Sequence, residues 1–180
     1  RRACNRRYLP ACSQLAYMYR YGRGVAKNET KALSLYRRSC DRRYWQACQS
    51  LGFYYSYGTT KNYSRALAIY RRACDGGYPQ SCTSLAYMYK MGRGVAANPA
   101  KARAIYMKAC RDGYVYGCTA AGDYTRAAQL RQSKCDGGDL YACNSLAYMY
   151  KKGRGVAMNI SKANAIYRRS CNMGNVSACI

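Results

Sequence analysis

Residues 84–110 read SLAYMYKMGRGVAANPAKARAIYMKAC, and the chain repeats this stretch almost verbatim. The near copies are QLAYMYRYGRGVAKNETKALSLYRRSC (14–40) and SLAYMYKKGRGVAMNISKANAIYRRSC (145–171). Each parses into two helices around a glycine-rich loop. In the first helix Leu15, Met18 and Tyr19 fall at i, i+3 and i+4, one apolar stripe of a 3.6-residue period. Gly22 follows, where a left-handed C-terminal cap suits glycine. Asn28, Asn62, Asn98 and Asn159 stand at the next N-cap. Pro99 takes the first helical position, where no N–H is needed. The second helix carries Ala32, Leu35, Tyr36 and Ser39, matched by Ala102, Ile105, Tyr106 and Ala109, again one stripe. The small alanines let antiparallel helices approach closely.

Working outward, the repeats are joined by a second frame: CNRRYLPAC (4–12), CDRRYWQAC (40–48), CDGGYPQSC (74–82), CRDGYVYGC (110–118), CDGGDLYAC (135–143) and CNMGNVSAC (171–179). All twelve cysteines fall in these six C-x7-C pairs. Their first members are spaced by 36, 34, 36, 25 and 36 residues, a period that indicates a helical repeat array. The second repeat shortens the GRGV loop to GTT, and the fourth (119–135) lacks 11 residues of the full pattern. Repeats are expected at about 13–48, 49–82, 83–118, 119–143 (truncated) and 144–180 of one array. The opening RRAC matches the end of a repeat (YRRAC, 70–74) and the closing VSACI the start of one, so both ends read as cut from a longer array.

The LA-Y-M-Y, G-x-G-V, N, KA, Y pattern resembles the Sel1-like repeat, a relative of the tetratricopeptide repeat. The C-x7-C pairs narrow the resemblance to the cysteine-rich Sel1-like proteins, secreted bacterial proteins first described in Helicobacter. A similar assembly factor occupies the mitochondrial intermembrane space of animals. The resemblance spans essentially the whole chain. It implies an all-α, right-handed α/α superhelix, a solenoid of Sel1-like repeats.

Each first cysteine closes a second helix, and each second cysteine opens the next first helix. Positions beside such a turn come within disulfide reach, roughly 5.5–6 Å between Cα atoms. Only local pairing respects the repeat: Cys4–Cys12, Cys40–Cys48, Cys74–Cys82, Cys110–Cys118, Cys135–Cys143 and Cys171–Cys179. Each nine-residue loop contributes about 2.6 kcal/mol on a chain-entropy basis, and six contribute about 15 kcal/mol as an upper bound. That is comparable to the stability of an ordinary domain. The rivals are a metal site, which would want C-x2–4-C knuckles or histidines, and free thiols. Disulfides imply an oxidising compartment, so the expected location is secreted or periplasmic, with the intermembrane space as the alternative.

The net charge is +24, from 31 Lys+Arg and 7 Asp+Glu. It predicts attraction to an anionic surface. No apolar run approaches a membrane span. Catalytic machinery is hard to find. Histidine is absent, which removes the usual general base and the Ser–His and Cys–His pairs. Asp41, Asp75, Asp112, Asp136 and Asp139 read as turn and cap residues, and Glu29 suits a helix start. Asp123 is alone, aligned with the aromatic position of Phe53 and Tyr87, so no carboxylate pair forms. Some relatives in the resembled family are named beta-lactamases or penicillin binders. The serine enzymes need S-x-x-K with S-D-N and K-T-G partners, and none occurs.

First helices line the concave face in repeats of this kind. Tyr17, Phe53, Tyr87 and Tyr148 lie off the buried stripe. Four residues before them stand Ser13, Gln49, Thr83 and Asn144; three after stand Arg20, Ser56, Lys90 and Lys151. Aromatics that stack and cations that pair form a row suited to an acidic peptide, a glycan or a polyanion. The plain alternative is a set of half-buried tyrosines with wet hydroxyls. Arg37–Arg38, Arg71–Arg72 and Arg168–Arg169 complement helix C-terminal dipoles. Lys31, Arg65, Lys101 and Lys162 read as a solvated face. The sequons at Asn28, Asn62 and Asn159 coincide with caps, and a fourth stands at Asn175. The expectation is a monomeric, non-catalytic interaction scaffold with no cofactor and no metal. Its partner is an acidic protein or peptide, or an anionic glycan or lipid headgroup. The alternatives are a beta-lactam hydrolase and a respiratory-complex assembly factor of the intermembrane space. Nucleic acid is disfavoured, because no recognition motif accompanies the charge.

Overall fold

The computed structural model describes Cys4, residues 8–59 and residues 61–179. The terminal matches read at RRAC and VSACI therefore lie partly outside the described residues, as does Thr60 of the shortened loop. Among the described residues the chain is helical throughout, with no strand. The helices are α1 (Leu9–Tyr21), α2 (Glu29–Asp41), α3 (Trp45–Tyr57), α4 (Tyr63–Asp75), α5 (Pro79–Met91), α6 (Pro99–Arg111), α7 (Val115–Ala121), α8 (Tyr124–Asp136), α9 (Leu140–Lys152) and α10 (Ile160–Asn172). A 3-10 turn covers Val176–Ala178. The chain divides into two compact bodies, Arg1–Ile105 and Tyr106–Ile180. Within the first body successive helices from α1 to α5 pack on one another, as do α7 to α10 within the second.

The expected caps are in place. The N–H groups of Lys31, Arg65, Lys101 and Lys162 donate to the side chains of Asn28, Asn62, Asn98 and Asn159 at 2.8–2.9 Å. Gly22, Gly92 and Gly153 end α1, α5 and α9 in the left-handed conformation. The core is built from small residues and rings rather than large aliphatics: Ala47, Ala73 and Ala86 beside Tyr36, Tyr70 and Tyr89 in the first body. In the second, Leu146 and Met149 pack on Ala127, Ala128 and Ala142.

All six cysteine pairs are disulfides, each joining residues eight apart. Their Cα atoms are 4.5–5.0 Å apart, closer than the 5.5–6 Å typical of disulfides. Ala47 and Ala73, which directly precede Cys48 and Cys74, are fully buried.

The shortened fourth repeat loses six residues from its first helix and five from the following loop. Helix α7 has 7 residues where the others have 13. Gly122 caps it, and the next residue, Asp123, already begins α8 by accepting from the N–H of Arg126 at 3.0 Å. Asp123 therefore stands at the N-cap, not at the aromatic position of Phe53 and Tyr87. Counted forward from Cys118 without that deletion, it falls eleven residues out of register with the N-cap Asn98.

Among the described residues, five hand-off turns contain one left-handed residue each: Gly77, Gly113, Gly138 and Gly174 in four turns, but Arg43 in the turn of residues 41–44, at φ 63°. A side chain there costs about 1–2 kcal/mol. Replacing Arg43 by glycine is expected to raise stability by about 1 kcal/mol. Denaturant unfolding of wild type and R43G under oxidising conditions checks this.

Candidate functional site

The first-helix row is built around arginine–aromatic stacks. In the first body Arg23 lies over the Tyr17 ring at 5.1 Å, and Tyr17 meets Tyr21 one turn on at 4.7 Å. Arg20 reaches into the next repeat and lies 5.2 Å from the Phe53 ring, which pairs with Tyr57 at 4.8 Å. Arg93 is shared by Tyr87 (5.2 Å), Tyr57 (5.6 Å) and Tyr63 (5.8 Å), and donates to the Tyr57 hydroxyl at 3.3 Å. In the second body Arg154 lies 4.0 Å over the Tyr124 ring and donates to its hydroxyl.

The predicted row residues do not share one environment. Phe53 is 43% exposed and Tyr148 49%, and Lys90 and Lys151 are exposed. Ser13, Tyr17, Arg20 and Tyr87 are half-buried. Thr83 is only 7% exposed, and its hydroxyl donates to the Gln80 carbonyl at 2.8 Å, so it presents nothing to a ligand. Gln49 is an inter-repeat latch: its amide donates to Ser84 Oγ at 3.0 Å, and its carbonyl accepts from Ser81 Oγ at 2.8 Å. Asn144, its counterpart in the second body, has a buried Oδ1 without a partner. The sequence reading missed Tyr21 and Tyr57, and it missed Arg23, Arg93 and Arg154 of the G-R-G-V loops. The signal was present: aromatics at i and i+4, and an arginine repeated in phase.

A second constellation lies between successive repeats. Arg37 donates to the Tyr55 hydroxyl at 3.0 Å, and Arg71 to the Tyr89 hydroxyl at 2.8 Å. Arg65 and Lys101 stand over the same two rings at 5.8 and 4.6 Å, and Lys31 and Lys162 over Tyr19 and Tyr150 at 5.6 and 4.4 Å. Thus Lys31, Arg65, Lys101 and Lys162 are not merely a solvated face. Their heads are wet, and each also lies over a tyrosine of its own repeat's first helix. Arg37 and Arg71 do more than complement a dipole, since each ties one repeat to the next. Arg72 pairs with Asp41 at 3.2 Å, and Arg37, Arg65 and Arg72 border a groove of about 470 Å³ floored by Leu51 and Ile69.

The carboxylates are engaged locally. Glu29 pairs with Lys27 at 3.3 Å and accepts from the Tyr54 hydroxyl at 3.2 Å; the Lys27 bond, then that of Tyr54, holds its pKa below the usual value. Asp139 caps α9 through the N–H of Ala142 at 3.0 Å.

Comparison with known proteins follows this geometry. The Sel1 repeat profile matches residues 9–44, 45–78, 79–114 and 140–175. The chain belongs to the Sel1 repeat family. The stretch between the last two matches, 115–139, holds the shortened repeat. Among solved structures, a protective antigen of uropathogenic Escherichia coli with an SLR fold is 27% identical over 99% of the chain, at a TM-score of 0.67. The chain spans only 41% of that antigen. A Sel1 repeat protein from Oxalobacter formigenes is 25% identical over 94% of the chain and 75% of its own length, at a TM-score of 0.68. An immunity protein from Pseudomonas aeruginosa shares the fold at 21% identity and a TM-score of 0.61, with 94% of the chain and 66% of its own covered. No curated protein matches the chain in sequence. The six disulfides of this Sel1 repeat protein indicate an oxidising compartment. Among the described residues no helix is long and apolar enough to cross a membrane.

Burial and the cationic clamps tune the Sel1 tyrosines in opposite directions. Burial pushes Tyr70 up to about 12. The Lys101 bond and then that of Arg71 pull Tyr89 below its ordinary value despite burial. A lowered folded-state value stabilises the fold only in alkali, fully above the ordinary tyrosine value, and the gain is lost as pH falls through the lowered one. At pH 7 the phenol is neutral and simply accepts hydrogen bonds. In a spectroscopic titration of the tyrosines Tyr89 is expected in the early-titrating group, and R71M/K101M is expected to move it later.

Proposed function

We propose that this Sel1 repeat chain is a non-catalytic docking scaffold for an acidic protein or peptide, working in the periplasm or outside the cell. The reading is carried by one observation: along the first helices, arginines already lie over exposed and half-buried aromatic rings. A guanidinium held over a ring by a cation–π contact still has N–H donors left for a carboxylate. Less rotamer entropy is then lost on binding than with a free side chain. Arg20, Arg23 and Arg93 are ordered this way in the first body, beside the exposed Lys90. In the second body, Tyr148 and Lys151 stand exposed on α9. The net charge of +24 supports the acidic choice, because it attracts such a partner and speeds encounter.

The test uses a fluorescent peptide rich in Glu and Phe and a Gln-for-Glu control. The acidic peptide is expected to bind, the control to bind at least about tenfold more weakly, and affinity to fall with added salt. R20Q/K90Q/R93Q is expected to lose about tenfold, since each exposed pair contributes up to about 1 kcal/mol. Equal binding of the two peptides, or an unchanged affinity in the triple variant, contradicts the proposal.

A further inference from the structure

In the second body, the shortened repeat carries an arginine where the others carry a tyrosine. Four residues before the first cysteine of each pair stand Tyr36, Tyr70, Tyr106 and Tyr167, but here Arg131. Tyr36, Tyr70 and Tyr106 are buried. Arg131 is half-buried, and one of its N–H groups points at the Met149 sulfur at 3.1 Å, a weak acceptor. Among the described residues no carboxylate forms an ion pair with it. Burial, the largest influence, lowers its pKa. A desolvated, unpaired guanidinium is costly to keep unless something anionic meets it.

A cavity of about 240 Å³ opens beside it, walled by Tyr114, Tyr116 and Tyr141, with Lys134 and Asp139 also lining it. Tyr116 and Tyr141 are 55% and 79% exposed, so the rings stand open as side walls. Asp139 is committed to capping α9. We infer that this cavity is a binding pocket for a carboxylate borne on a peptide, with Arg131 as its anchor and the three tyrosines as its walls. Two cations and one carboxylate around the pocket leave a balance of one positive charge. A singly charged carboxylate matches that balance, and a doubly charged phosphate is repelled by Asp139. The peptide can bring the carboxylate at its C-terminus or on an acidic side chain. The pocket shares no lining residue with the first-helix row and does not rest on the row's proposed role.

The experiment follows the Arg131 side-chain N–H resonance of the oxidised protein during titration with four probes. These are acetyl-Gly-Gly-Phe, acetyl-Gly-Glu-Gly-amide, the neutral acetyl-Gly-Gln-Gly-amide and inorganic phosphate. A saturable shift with either carboxylate peptide at about 1 mM or below, absent with the neutral peptide, is expected, and which one binds identifies the source of the carboxylate. R131Y restores the repeat residue and should keep the helical fold by circular dichroism. Calorimetry of R131Y and R131Q is expected to show at least about a tenfold loss of affinity. In R20Q/K90Q/R93Q the Arg131 resonance is expected to shift with the carboxylate probes as in wild type, so failure of the row and failure of the pocket are distinguishable. Equal binding of the neutral peptide, tighter binding of phosphate, no saturable shift, or retained affinity in R131Y overturns the inference.

Discussion

Each pair of helices is handed to the next through a turn closed by a disulfide, and the rest of the structure depends on that closure. The bond spans eight residues, and most of the cysteines are fully buried. It fixes where one repeat's second helix ends relative to the next repeat's first helix. An ordinary repeat protein secures that geometry with large aliphatic side chains. Here the hand-off is covalent, and the mean hydropathy of the chain can stay at −0.51.

That freedom explains the composition. With the hand-offs closed, the contacts between helices are filled by alanine and by tyrosine, of which the chain has 22. A buried ring supplies apolar area, but its hydroxyl needs a partner. Arginines 37 and 71, placed one repeat earlier, meet the hydroxyls of Tyr55 and Tyr89. The basic character of the protein is thus partly structural. The same pairing of cation and ring, turned outward on the first helices, is what the proposed docking role uses.

Much of this was legible in the sequence because it is local. The N-cap asparagines, the capping glycines and the C-x7-C pairs each depend on residues within one or two turns, and repetition in phase identified them. What was not legible depends on reach across repeats. Lys101 and Arg71 belong to different helices, yet both meet Tyr89, and no spacing rule encodes that. Gln49 shares a register with solvent-facing positions but faces the neighbouring repeat, as the Gln49–Ser81 bond shows, and Thr83 at the same register turns its hydroxyl back onto the Gln80 carbonyl of its own helix. Asp123 was misplaced because a deletion shifts register, and its cap became visible only with the helix ends in view. Arg131 could have been found by counting back from Cys135, where the tyrosine of the other repeats is missing.

The central claim is the covalent hand-off, and intact mass tests it most directly. Protein folded under oxidising conditions is denatured and alkylated, then weighed before and after reduction. Six disulfides predict no alkylation before reduction and a mass about 12 Da below the reduced chain, two hydrogens for each bond. Alkylation of cysteines before reduction, with no such deficit, would contradict the account. A chain so poor in large aliphatics would then need another source of stability, and the inferred oxidising compartment would fall with it.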